Sequence, residues 1–358
     1  MLYYLGGFLK NFWGPARLLQ SYAVLIVLAL YTGFVIVKNF LPKFYKYLPC
    51  DRGRAFTLTA TAEAAKGKPT GSGVVFITMF VILCFLFAPL DWLQVCILFL
   101  TWLMMLTGFL DDRSSKGWGE YLKGFLDLVI CTAAAFLMAY FVSKTSLDGK
   151  LYFWLPFISH TIHVPSWLYI IITVVMLWMS VNTTNCTDGV DGLSSTLVLI
   201  ALLTMGGIFY FILGHKDIAA YLLVPHLADG ASWAAMTFCL AGVLMGYLWH
   251  NAFPSEVLMG DAGSRALGFY TGVCVMISGN PLLFLATSSI IIVNGGMGLL
   301  KVALKRFFHI SIFEKIRFPL HDHMRKNHGW SPTQVLIKFM IMQILITVAM
   351  MGIFFKVR

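Results

Sequence analysis

The sequence has 358 residues, of which 59% are hydrophobic and 12% charged, against roughly 25% charged in an ordinary soluble domain. That balance excludes a soluble globular protein and a disordered chain, because one core cannot hide so much apolar surface and the remainder must face lipid. The net charge of +10 is scattered between apolar runs and forms no Lys/Arg-rich stretch with interleaved aromatics, which excludes nucleic acid as a partner and favours inner-leaflet anionic lipids or a phosphate-bearing substrate.

A helix needs about 20 apolar residues to cross a hydrocarbon layer of roughly 30 Å. Ten runs near that length follow one another, over 18–37, 74–89, 92–110, 124–142, 167–181, 193–213, 232–249, 266–278, 282–300 and 335–355. The expected fold is therefore all-α: one polytopic, membrane-embedded domain over residues 1–358 with about ten transmembrane helices. The first run is too long for a signal-peptide core and no small-residue cleavage site follows it, so it is expected to stay in the mature protein. Cys84, Cys96, Cys131, Cys239 and Cys274 fall inside the runs and read as small hydrophobes, not as disulfide or zinc partners.

An even number of spans puts both termini on one side. One set of alternate connections then carries 18 of the 26 Lys and Arg residues, and the positive-inside rule makes that set cytoplasmic and both termini external. Twelve of the 16 acids lie on the same side, leaving only Asp91, Asp148, Asp217 and Asp229 outside. Acids contribute little to orientation, so their gathering calls for another reason.

In chain order the cytoplasmic connections hold Lys66-Gly-Lys-Pro-Thr-Gly-Ser-Gly73, Gly108-Phe-Leu-Asp-Asp112 and Asn182-Thr-Thr-Asn-Cys-Thr-Asp-Gly-Val-Asp-Gly-Leu193. Then come Asn251-Ala-Phe-Pro-Ser-Glu-Val-Leu-Met-Gly-Asp-Ala-Gly-Ser264 and Pro319-Leu-His-Asp-His323. An Asp at a helix centre costs about 2.5–3.5 kcal/mol on the insertion scale, so Asp111, Asp112, Asp188, Asp191 and Asp261 belong at a rim bordering water. Five carboxylates on one rim repel one another unless a cation sits among them, and a hard divalent ion such as Mg2+ would also bridge to a phosphate.

Each motif has a plainer reading. Asp111-Asp112 can be solvated acids at a helix end, and Asp188-Gly-Val-Asp-Gly192 a tight turn ahead of a helix, a geometry that also exposes N–H groups to an anion. Gly71-Ser-Gly73 and Gly260-Asp-Ala-Gly263 can serve close helix packing as well as phosphate contact, and neither is a P-loop. His321-Asp322-His323 is weak as a zinc site. Lys123 and Asp127, four apart, read most simply as an ion pair, and Asn294-Gly-Gly-Met-Gly298 should loosen its helix. What carries weight is that these signals meet on one membrane face.

Together the residues resemble the polyprenyl-phosphate N-acetylhexosamine-1-phosphate transferases over most of the chain, and within them the muramoyl-pentapeptide branch. The motifs that carry the likeness are Gly-Phe-Leu-Asp-Asp112, Asn185-Cys-Thr-Asp-Gly-Val-Asp-Gly-Leu193, Asn251-Ala-Phe-Pro with Met259-Gly-Asp-Ala-Gly-Ser264, and the His-containing loop before Gly329-Trp330. The resemblance implies transfer of a phosphosugar from a UDP-sugar, UDP-N-acetylmuramoyl-pentapeptide, to undecaprenyl phosphate, with UMP released and Mg2+ required. It implies Asp261 as the Mg2+ ligand and catalytic roles for Asp111, Asp112 and Asp261. Substrate contacts would come from Lys66, Thr70, Lys123, Asn182, Asn185, Asp188, Gly189, Asp191, Asn251, His321, Asp322 and His323. The same chemistry on UDP-N-acetylglucosamine is the nearest alternative, a cation-coupled transporter is one of another class, and a homodimer is compatible with the pattern. The chain departs from the family where three histidines usually stand, here His321-Asp-His323, and at Leu258, where an aromatic is common.

Overall fold

The structure, a computed structural model, describes residues 1–51, 66–146 and 148–356. It is a helical bundle. In chain order it consists of α1 (Leu2–Leu9), α2 (Tyr22–Phe44), α3 (Gly73–Phe87), α4 (Trp92–Arg113), α5 (Glu120–Thr145), α6 (Ser166–Thr187), α7 (Leu193–Gly207) and α8 (Lys216–Tyr221). These are followed by α9 (Gly230–Asn251), α10 (Gly260–Ile277), α11 (Leu283–Ile291), α12 (Met297–Phe307), α13 (Leu320–His328) and α14 (Pro332–Lys356). Each of the ten apolar runs contains a helix. Eight helical segments among the described residues are long and apolar enough to cross a membrane. The other two are α3, with 15 residues, and α10, with 18.

Both exceptions have physical reasons. α10 starts six residues ahead of the apolar run expected from 266, because its first turn is held by a carboxylate from another helix, described below. It carries Asp261 and Arg265 and is buried from Ala262 to Ile277, packed between α4, α6, α7 and α3. A helix enclosed by protein has no need of a lipid-facing surface. α3 opens at Gly73, where its backbone lies against Ala262 and Gly263 of α10 so closely that a Cβ would overlap them.

Local sequence sets the ends of α4. Asp91 and Gln94 form a reciprocal capping box, the Asp91 carboxylate accepting the Gln94 N–H at 2.8 Å and the Gln94 side chain accepting the Asp91 N–H at 3.1 Å. The opposite end runs straight into the acidic pair.

One element departs from the all-α expectation. Strands β1 (Leu151–Phe153) and β2 (Ile162–Val164) form an antiparallel ribbon with Leu151 opposite Val164, at the end of the bundle away from the acidic pair. Trp154 follows it, donating its indole N–H to the Ser278 carbonyl at 2.6 Å and closing the C-terminal end of α10. The Asn294-Gly-Gly segment forms a π-helical turn, Ile292–Gly296, joining α11 to α12.

Candidate active site

The Gly108-Phe-Leu-Asp-Asp112 segment ends α4 against the start of α10. Gly108 lies so close to the Asp261 backbone that a side chain there would overlap it, and Gly260 takes a left-handed φ of +66° with Asp112 pressed against it. Asp112 spends both carboxylate oxygens on α10: Oδ1 accepts the Asp261 N–H and Oδ2 the Ala262 N–H, each at 3.0 Å. A carboxylate at a helix N-terminus satisfies orphan N–H groups and meets the positive end of the helix dipole. That bond fixes where Asp261 stands.

Asp111 faces elsewhere. Its Oδ1 accepts the Trp118 N–H at 2.6 Å, and its Oδ2 pairs closely with Lys123 of α5. The same ammonium lies 3.0 Å from Asp261 Oδ2. Lys123 therefore bridges two carboxylates from α4 and α10, and the pair expected with Asp127 does not form. Asp127 turns inward to Arg265, a guanidinium only 1% exposed, because a cation buried that deeply needs a counter-charge.

A second group is built around the turn between α6 and α7. Asp191 Oδ2 accepts the Ser255 N–H at 3.0 Å and lies 3.8 Å from Lys68 Nζ, which donates to Ser255 Oγ at 3.1 Å. Lys68 is thus the lysine of the Gly-rich segment that reaches this turn, whereas Lys66 is exposed on the loop. Thr70 is buried, its N–H donating to the Pro49 carbonyl at 2.8 Å. Asn251 acts as a brace: its Oδ1 accepts the Gly192 N–H at 2.9 Å and the Ser195 hydroxyl at 3.3 Å, and its Nδ2 donates to the Val257 carbonyl at 2.9 Å. Nearby, hydrogen bonds from His250 and then Tyr45 hold the Glu256 carboxyl below its usual range.

On α6, Asn182 donates to the Trp178 carbonyl at 2.8 Å, and the Asn185 carbonyl accepts the Asp188 N–H at 3.1 Å where the helix ends. The histidine loop meets this end. His321 is buried with its ring against Gly189. Asp322 lies 4.0 Å from both Arg317 and Lys326, and His323 Nδ1 accepts the Arg317 N–H at 3.3 Å. Among the described residues no three His, Cys, Asp or Glu side chains form a ready-made metal cluster.

Residues 94–279 match the family model described as glycosyl transferase family 4. The chain is 55% identical to the phospho-N-acetylmuramoyl-pentapeptide-transferase of Treponema pallidum (strain Nichols), over 98% of this chain and 95% of the relative. It is 28% identical to the enzyme of that name from Helicobacter hepaticus, over 88% of this chain and 90% of the relative. For the one from Campylobacter jejuni (strain RM1221) the identity is also 28%, over 91% and 95%. The chain belongs to the phospho-N-acetylmuramoyl-pentapeptide-transferases.

In this member of the family the matched stretch holds Asp111, Asp112, Lys123, Asn185, Asp188, Asp191, Asn251 and Asp261, while the relatives extend the likeness over the histidine loop. Sequence reasoning missed three participants. Arg265 could have been found, since an Arg inside an apolar helix demands a partner. Lys68 stands two residues from the lysine singled out, and nothing in the local pattern separates them. Asn294 was read only as part of a weak point in its helix.

Proposed function

We propose that this chain is an Mg2+-dependent phosphoglycosyl transferase that moves phospho-N-acetylmuramoyl-pentapeptide from its UDP-linked donor to undecaprenyl phosphate, giving lipid I and UMP in peptidoglycan synthesis. The active site lies at the cytoplasmic face of a bacterial plasma membrane, with both termini outside. The observation that carries the chemistry is the single ammonium of Lys123 held between Asp111 and Asp261 at the ends of three close-packed helices. The name shared by the relatives carries the choice of donor over UDP-N-acetylglucosamine. A transporter would place its acids near mid-membrane, whereas here they sit at helix ends.

The oxygen donors suit Mg2+, which takes one or two carboxylates and completes its shell with water and substrate phosphates. That habit accounts for the lack of a third ready-made ligand. Asp261 would hold the ion with Asp111 beside it, and its chemistry there would be to offset charge on the phosphates and on departing UMP. Asp112 acts through Asp261, fixing its backbone, and is a positioning residue in this reading. Lys123 keeps the two carboxylates from repelling each other and presents positive charge to the phosphates. An acceptor phosphate monoester has its second pKa at about 6, so it is mostly dianionic near neutral pH. Its oxygen attacks the sugar-bearing phosphorus, the bond to UMP breaks, and the protein contributes mainly position and charge neutralisation.

The test is UMP release by the purified protein with undecaprenyl phosphate and either UDP-N-acetylmuramoyl-pentapeptide or UDP-N-acetylglucosamine, with and without Mg2+. Turnover with the muramoyl donor and Mg2+ alone is expected. Equal turnover with the other sugar would remove the donor assignment, and full turnover in chelator would remove the metal.

A further inference from the structure

α11 leaves helical geometry at Ser288 (φ −136°, ψ 22°), and the chain then widens into the π-helical turn Ile292–Gly296 before α12. A broken helix in lipid frees backbone groups that must find partners, and α14 supplies them. Gln343 Oε1 accepts the Ile290 N–H at 2.8 Å, while Gln343 Nε2 and Thr347 Oγ1 donate to the Ala286 carbonyl at 3.1 and 2.8 Å. Such wide turns occur frequently at functional sites. This one is pressed on α6, with Gly295 against the Thr183 carbonyl, and it turns Asn294 toward the histidine loop.

The Asn294 amide oxygen lies 2.8 Å from the His321 backbone nitrogen and 3.1 Å from His321 Nδ1. A backbone N–H can only donate, which identifies the amide atom facing it as the oxygen. That oxygen can only accept, so Nδ1 must carry a proton. One acceptor thus fixes the loop backbone, the ring plane and the proton together. The other ring nitrogen, Nε2, is aimed at Gly189, where any Cβ would overlap it. Both residues are sequestered, Asn294 at 0% and His321 at 3% exposure. Asn294 Nδ2 has no hydrogen-bond partner among the described residues, an arrangement that costs stability. What Asn294 brings to the site is its oxygen.

We propose that Asn294 is a positioning residue of the transferase site: it holds His321 with Nδ1 protonated and directs Nε2 to the Asp188–Gly189 turn, an expected substrate-contact segment where the nucleotide-sugar donor of the proposed reaction would bind. The protonation of Nδ1 rests on geometry alone, and the donor contact rests on the function proposed above.

Two measurements on the full-length protein in detergent test it. Nitrogen NMR of histidine-labelled protein, with His321→Gln to assign the signal, reads the ring proton without any activity. Wild type and Asn294→Asp are expected to show Nδ1 protonated, and Asn294→Leu to lose that state. An unprotonated Nδ1 in wild type, or a signal that Asn294→Leu leaves unchanged, overturns the proposal. In the UMP-release assay, Asn294→Leu is expected to lower kcat by about 10- to 100-fold, as loss of a ligand-orienting partner does. Asn294→Asp, whose carboxylate accepts the same two N–H groups, should retain most of the turnover. Asn294→Leu added to His321→Ala should cost far less than Asn294→Leu costs alone, only what the bond to the backbone N–H of residue 321 contributes, because the part of its effect that runs through the ring is already gone. Full additivity of the two losses overturns the positioning role. A wild type that releases no UMP from either donor sinks the transferase reading instead, and the NMR result still decides the state of His321.

Discussion

Asp111 and Asp112 are neighbours in the chain but about 100° apart around their helix, and that angle divides their work. Asp111 looks toward Trp118 and Lys123, while Asp112 looks toward the first turn of α10. The sequence shows an acidic pair and cannot show which member caps a helix 149 residues further on. The division predicts two different failures. Asp261→Asn leaves the Asp112 cap in place and keeps an oxygen within reach of Lys123, and should lower turnover by about 100-fold or more, the loss typical when one charge-stabilising group leaves an active site, with the melting temperature little changed. Asp112→Asn turns one of its oxygens into a donor facing an N–H group, so thermal stability and turnover should fall together. Melting curves and UMP release measured on both variants separate the cases; an Asp112→Asn protein with unchanged melting would show that the cap is not what the carboxylate is for.

At the scale of elements, legibility follows the distance over which a feature is determined. The apolar runs announced ten helices because helix and lipid exposure are local consequences of composition. The true start of α10 was hidden because its cap comes from α4, and the ribbon Leu151–Phe153 with Ile162–Val164 was hidden because strands of three residues leave almost no periodic signal. Asn294-Gly-Gly was legible as a weak point, but the partners that make the break tolerable sit on α14. The end of the bundle opposite the acidic site carries its own titratable element. Asp229 precedes α9, accepts the Trp233 indole N–H at 2.7 Å, and has its carboxyl pushed up to about 6 by burial and then by Asp91. Its folded pKa is raised, so the stabilisation is complete below the unfolded value of 3.8 and is lost as pH rises through about 6. The expected loss is on the order of 3 kcal/mol. Melting in detergent should therefore decline between pH 4 and roughly pH 7, and Asp229→Asn, which keeps an acceptor for Trp233, should flatten that decline. An unchanged slope in the variant would assign the pH dependence elsewhere.

For the molecule as a whole, charge and hydropathy act on different questions. Hydropathy marks the chain as a multi-pass membrane bundle; the charge distribution supplies the expectation of which way it faces. The net charge of +10 conceals this, because most of the bases share one set of connections with most of the acids. The structure pairs three of those acids: Asp111 and Asp261 at the ends of α4 and α10, and Asp191 at the start of α7, are each met by a lysine, so this part of the mixed charge is paired in place and is not simply a solvated rim. On the function proposed above, a site that uses a nucleotide-sugar made inside the cell is expected to open inward, and the positive-inside rule gives the same expectation on separate grounds. The two arguments converge on one topology experiment with a membrane-impermeant thiol reagent. Lys116→Cys, beside the acidic pair, should be labelled in inside-out vesicles and protected in intact spheroplasts, and Lys150→Cys, beside the ribbon, should show the reverse. Labelling of Lys116→Cys from outside would turn the whole bundle over and cut the site off from its nucleotide, so that single result bears on orientation and function together.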